Sequence, residues 1–152
     1  MRIALDATYS VGRNLSGVGV YSREVLWGLS SAHPQSHFTL CYRPHRFLRS
    51  FKQRVGANCS RAILSDALQP PRADVFHALN QRVPARRPRR CVTTFHDLFV
   101  LTAEYSTPEF RERFAEQARM AAEHSDLIIA VSHFTAGQVR DLLSVDAARI
   151  RV

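Results

Sequence analysis

The sequence predicts an α/β fold built as a doubly wound parallel sheet, on three observations. Short apolar runs alternate along the chain with stretches whose apolar residues recur at helical spacing. The run Leu127-Ile128-Ile129-Ala130-Val131 is apolar throughout, as a strand covered on both faces requires. The 152 residues, 45% of them hydrophobic, make room for one domain with a real core. Strands that alternate with helices are joined by right-handed crossovers, which makes them parallel.

Each element follows from its residues. Ile3, Ala4 and Leu5 place a first strand over 2–7, followed by a polar, glycine-bearing loop over 8–19. Tyr21, Val25, Leu26 and Leu29 recur at helical spacing over 21–29, and His33-Pro34 ends that helix. Phe38, Leu40 and Tyr42 alternate over a second strand at 37–42. Residues 44–55 read as a short helix, with Phe47, Leu48, Phe51 and Val55 on one side and basic residues on the other. Further strands are predicted over 61–64, 74–79 and 90–96. A long helix over 108–124 opens on a Thr107 cap with Pro108 at its first position. A strand over 126–131, a helix over 132–143 and a strand starting at Arg149 complete the chain, which stops inside that last strand. A domain rarely ends there, so the expectation is the front part of a longer protein.

Composition removes several classes. No stretch approaches the ~20 apolar residues of a membrane span, and Met1-Arg2-Ile3-Ala4-Leu5-Asp6 reads as a strand rather than a signal peptide. Three cysteines, Cys41, Cys59 and Cys91, show no C-x-x-C spacing, so neither a zinc site nor a disulfide framework is expected. No other ligand spacing suggests a metal. Net charge is +8, carried by arginine with Lys52 the single lysine. Such a bias follows gene base composition, which weakens the inference from charge to nucleic acid. Two stretches, Arg43 to Arg61 and Arg82 to Arg90, carry basic residues with no acidic one and form patches that fit an anionic surface or ligand. The first contains Arg46, Arg49, Lys52 and Arg54 among phenylalanines. It reads either as a surface helix packing its aromatic residues on the sheet or as a helix lying on anionic lipid.

In an open α/β sheet, ligands bind beyond the carboxyl ends of the strands. The first strand ends at Asp6 and is followed by Ser16-Gly17-Val18-Gly19-Val20-Tyr21, a glycine-bearing turn running into a helix. Gly17 and Gly19 there allow backbone to approach a phosphate, or else simply loosen a loop. The dinucleotide fingerprint is incomplete, since Ser22 stands at its third glycine position, and no P-loop lysine follows. His96 closes the 90–96 strand and is the candidate catalytic residue, its ring in the crevice. Asp97 beside it and Ser132 after the next strand are candidate substrate-binding residues, each with an alternative role as a helix cap. His77 and Asn80 follow the 74–79 strand in the same way. No G-x-S-x-G is present, so a nucleophilic hydrolase has no support.

The order of these pieces is familiar. Asp6, Gly17-Val18-Gly19-Val20-Tyr21-Ser22-Arg23-Glu24, Asp74-Val75-Phe76-His77 and Thr93-Thr94-Phe95-His96-Asp97 come first; Ser125 to Thr135 and Ala148-Arg149-Ile150-Arg151-Val152 follow. Together they resemble the N-terminal domain of family 4 retaining glycosyltransferases, notably the mannosyltransferase-like members of bacterial polysaccharide assembly. The resemblance implies a Rossmann-like sheet, the N-terminal half of a GT-B fold, with residues 1–152 as the acceptor-side domain and the donor-binding C-terminal domain absent. It implies that Gly17 and Gly19 close over the phosphates of a nucleotide-sugar donor and that His96 lines the cleft near the transferred sugar. It implies a glycan or lipid-linked acceptor, no cofactor beyond the nucleotide-sugar substrate, and no metal. The paired glutamates of the family lie in its other domain, so this chain alone is expected to be inactive. The expected setting is the cytoplasm, with peripheral contact at the inner face of the membrane. Two rival classes are a non-catalytic binding module of the same fold and a nucleic-acid-binding protein. The second lacks a stacking pattern or a reading helix, so no specific nucleic-acid partner is expected.

Overall fold

The computed structural model describes residues 1–102 and 106–152. Seven strands form one sheet: β1 (Arg2–Asp6), β2 (His37–Tyr42), β3 (Cys59–Ile63), β4 (Val75–Ala78), β5 (Cys91–Phe95), β6 (Leu127–Ala130) and β7 (Ile150–Arg151). Their order is β3-β2-β1-β4-β5-β6-β7, with every described pairing parallel. The chain winds outward from β1 to β3, returns, and winds the other way from β4. The reversal falls between β1 and β4, where Leu5 stands beside His77 and Asp6 beside Ala78. That is the switch point at which sheets of this kind bind ligands.

Four helices cover the sheet: α1 (Gly17–Ala32), α2 (Pro44–Ser50), α3 (Pro108–His124) and α4 (His133–Leu143). One core lies under α1, where Leu26 meets Leu5, Phe38, Leu40 and Tyr42. The other joins β4, β5 and β6 to α3 and α4 through Phe76, Phe95, Phe114, Ala118, Ala121, Ile128 and Val139. In α3 the buried Phe114, Ala118, Ala121 and Ala122 recur at the spacing of one helix face. Its start is the predicted one: Thr107 Oγ1 accepts from the Phe110 N–H at 3.3 Å, with Pro108 in the first turn. The three cysteines are free thiols, two of them buried.

Two elements depart from the sequence expectation. The first helix begins at Gly17 rather than Tyr21, because Ser16 caps it and its Oγ accepts from the Gly19 N–H at 3.3 Å. Gly17 and Gly19 therefore sit in a helical first turn, and neither has a positive φ. The second helix ends at Ser50 instead of continuing to 55. There the Ser50 Oγ donates to the Phe47 carbonyl at 2.6 Å, and Lys52 and Gln53 N–H groups bond three residues back, so the helix closes as a tightened turn. On α2, Phe47 packs against the core, but Phe51 is 61% exposed and Leu48 79% exposed. The expectation that this segment tucks its aromatic residues onto the sheet holds for one of the two phenylalanines.

Candidate functional site

The carboxyl edge of the sheet at the switch point gathers polar side chains from four segments. Asp6, the last residue of β1, is buried. Its Oδ1 accepts from the Thr8 N–H at 3.0 Å and from the Thr8 hydroxyl at 2.5 Å, while Oδ2 is buried with no hydrogen-bond partner among the described residues. Burial pushes this carboxyl up from the ordinary aspartate range; the Thr8 hydrogen bonds and the charges of Arg43 and Arg82 oppose the push. The Thr8 oxygen also accepts from the Arg43 N–H at 3.1 Å, which ties the end of β1 to the start of α2.

His96 follows β5 directly and is half-buried. Its Nε2 donates to the Leu79 carbonyl at 3.0 Å, and its ring meets that of Tyr21 edge-on, with centroids 4.8 Å apart. The Tyr21 hydroxyl lies 3.3 Å from Thr94 Oγ1, which also meets His77 Nε2 at 2.9 Å. Burial lowers the His77 pKa to about 4, so this ring is neutral at pH 7. The His96 carbonyl accepts from the Thr135 hydroxyl at 3.0 Å. The histidine is thus held by the segment after β4, by α1 and by α4. The expectation of a ring in the crevice gains two anchors: Nε2 is committed to Leu79 and the ring packs against Tyr21, while Nδ1 has no partner among the described residues.

The other predicted residues divide. Gly17 and Gly19 come to the same edge, since Tyr21, one turn inside α1, touches His96. They differ in surroundings. A Cβ on Gly17 would meet nothing within 4 Å, whereas one on Gly19 would stand 2.8 Å from the Tyr9 carbonyl oxygen. The N–H of Gly19 is taken by Ser16 Oγ, and those of Gly17 and Val18 are left over from the helical ladder. Ser132 is the N-cap of α4, its Oγ accepting from the Thr135 N–H at 3.1 Å and lying 3.1 Å from the Thr135 hydroxyl. Among the described residues, its hydrogen bonds lead to His96 through Thr135. Asp97 is exposed and makes no hydrogen bond or ion pair among the described residues. It does not cap the 3-10 turn after it, whose cap position is Leu98. Tyr21 and Asp6 were not singled out as site residues from sequence. Tyr21 reads there as one apolar position of a helix face, and the only signal for Asp6 is a carboxylate at the end of a strand.

A profile of Glycosyltransferase Family 4 matches residues 18–152. The chain belongs to glycosyltransferase family 4. Within it, the chain is 32% identical over 85 residues to the O-antigen chain mannosyltransferase B of Escherichia coli, a match covering 55% of this chain and 22% of that protein. Among solved structures it superposes on sucrose-phosphate synthase of Thermosynechococcus elongatus with a TM-score of 0.66 at 15% identity, covering 99% of this chain and 47% of that one. It also superposes on the wall teichoic acid polymerase TagF, with a TM-score of 0.58 at 14% identity, covering 99% of this chain and 38% of that one. The family 4 chain therefore spans less than half the length of these relatives. Its fold is the Rossmann-like N-terminal half of a GT-B glycosyltransferase, as the sequence resemblance implied.

Proposed function

We propose that this family 4 domain is the acceptor-side half of a retaining glycosyltransferase. The whole enzyme moves a hexose from a nucleotide-sugar to an acceptor hydroxyl in glycan or polysaccharide synthesis. It needs no cofactor other than that nucleotide-sugar. The observation that carries the reading is that His96, at the carboxyl end of β5 next to the switch point, is immobilised by Leu79 and Tyr21 beside the first turn of α1. A polar ring fixed before the ligand arrives loses no reorganisation energy in the transition state. The N–H groups of Gly17 and Val18, which have no partner among the described residues, suit the charge of a diphosphate together with the positive end of the α1 dipole. The donor domain supplies the rest of the cleft, so residues 1–152 alone do not turn over. The likeness to a mannosyltransferase supports mannose among the hexoses and polysaccharide assembly as the setting.

Contact with a membrane belongs to the same reading and rests on α2. Leu48 and Phe51 stand exposed beside Arg49, Lys52 and Arg54. Arg46 is drawn elsewhere, donating to the Val11 carbonyl at 3.1 Å. Exposed apolar tips among cations fit an anionic headgroup layer. No helix among the described residues is long and apolar enough to cross a membrane.

The test is His96→Ala in the full-length protein, assayed for sugar transfer from nucleotide-sugars. The expected result is a fall in kcat and kcat/KM of about ten- to several-hundred-fold. The lost hydrogen bond and ring contact predict a stability loss of about 1–2 kcal/mol. Near-normal kinetics in a destabilised but folded variant would reduce His96 to a structural part and remove the reading's main support.

A further inference from the structure

The His96 contacts decide more than its position. A carbonyl oxygen has no proton to give, so the 3.0 Å contact to Leu79 requires the hydrogen on Nε2. In the neutral ring Nδ1 is then a lone pair, and it is the nitrogen without a partner among the described residues. A half-turn of the ring would undo this by bringing other atoms to Leu79. What opposes the turn is Tyr21, packed against the ring at an interplanar angle of 86°. Tyr21 is itself tethered, its hydroxyl on Thr94 Oγ1, a fully buried side chain that also engages His77. His77 brings no charge to the network at pH 7.

We propose that Tyr21 is a positioning residue that holds His96 with Nε2 spent on Leu79 and Nδ1 presented as a hydrogen-bond acceptor, so that the site selects a ligand hydroxyl. It rests on the reading that His96 serves sugar transfer. A hydroxyl can donate to Nδ1; a keto or carboxylate oxygen at the same point can only face it lone pair to lone pair. Because Tyr21 lies on α1, the aim of His96 is coupled to the helix whose first turn faces the proposed phosphate position.

Two measurements test this. The first needs no activity. Nitrogen-15 spectra of the histidine rings in this chain, recorded with the His96 ring neutral, are expected to show its single hydrogen on Nε2, exchanging slowly, and none on Nδ1. Tyr21→Ala should speed that exchange and mix the two tautomers. Tyr21→Phe keeps the ring and removes only the tether, whereas Thr94→Val removes the tether together with the His77 contact, so these milder variants should fall between and remain folded. The second is a double-mutant cycle in the full-length enzyme. Tyr21→Ala should lower kcat about ten-fold or more with KM changed less than about two-fold. Tyr21→Phe should restore most of the loss, and Tyr21→Ala should cost nothing further once His96 is alanine. A His96 tautomer and exchange rate indifferent to Tyr21, or losses that add fully in the double variant, would overturn the proposal. A wild-type enzyme without transferase activity would instead refute the functional reading, and the ring spectra would still decide the positioning claim.

Discussion

Gly17 and Gly19 look equivalent in the sequence, two glycines before a helix, yet the structure gives them opposite responses to a single methyl group. In Gly19→Ala the new Cβ would lie 2.8 Å from the Tyr9 carbonyl oxygen and 3.2 Å from both Cβ and Cδ2 of Leu15. The Tyr9 contact is backbone in a 3-10 turn and cannot swing aside. Forcing one carbon into such a place costs about 1–3 kcal/mol. In Gly17→Ala the methyl meets nothing. Both substitutions share the gain of replacing a helical glycine by alanine, up to about 1 kcal/mol. That gain cancels in the comparison, so the two variants should differ by the overpacking cost itself. For a domain of this length it corresponds to a melting-temperature gap of about 2–12 °C. Thermal and urea unfolding followed by circular dichroism read it directly. The expected order is Gly17→Ala at or above wild type, with Gly19→Ala clearly below. Melting within a degree of each other would show that the first turn of α1 is not packed on Tyr9 as described. Gly17→Ala then becomes the clean probe of phosphate approach, because a loss of nucleotide-sugar binding there cannot be charged to folding.

Three further outcomes can be checked. The pKa of His77 is depressed by burial from 6.5 to about 4, so its contribution to stability is complete above the unfolded value and is lost as pH falls from about 6.5 towards 4; His77→Gln should flatten that part of the stability–pH curve, and an unchanged slope would contradict the burial. Ser144 ends α4 at φ 54°, the one non-glycine with positive φ among the described residues; Ser144→Gly should stabilise by about 0.5–1 kcal/mol in urea melts, and a loss would show the serine side chain to be needed. For α2, sedimentation with vesicles should rise with anionic lipid and fall with salt. A Leu48→Ser, Phe51→Ser double variant should bind more weakly, and equal sedimentation with neutral and anionic vesicles would leave only a solvated surface helix.

Much of the scaffold was legible because its signals are local. Thr107-Pro108 announces a helix start through one side-chain oxygen and one fixed φ, and Ser132 does the same for α4. The apolar run before Ser132 needs only its composition to mark a buried strand. His96 was legible as a strand-end polar residue. Its partners were not. Tyr21 counts as apolar in any periodicity, and only the three-dimensional meeting of α1 with β5 reveals a hydroxyl seated on Thr94. The two glycines were misplaced into a loop because glycine disfavours helix by intrinsic propensity, and the Ser16 cap that starts the helix just before them was not read. The end of α2 turned on Ser50 donating to Phe47, a competition that apolar spacing does not register.

The reversal of strand order also bears on how the domain assembles. Pairing β1 with β2, or β5 with β6, joins residues 35 apart, as in Arg2 with His37 and Val92 with Leu127. Pairing β1 with β4 joins Arg2 to Asp74, 72 residues apart. Doubling a loop adds only about 0.6 kcal/mol of closure entropy, too little to matter in the finished protein. It matters to the rate, since long-range strand pairings are the slow ones to form. The seam between β1 and β4 therefore carries the longest closure among the described pairings, and across it Leu5 stands beside His77 and Asp6 beside Ala78. Both cores also cross that seam, Ala4 and Cys41 lying in one core with Phe76, and Leu79 lying in the other with Leu5. A chain that failed to close it would lose packing on both sides together with the ligand edge, while helices that form locally could still give a helical signal.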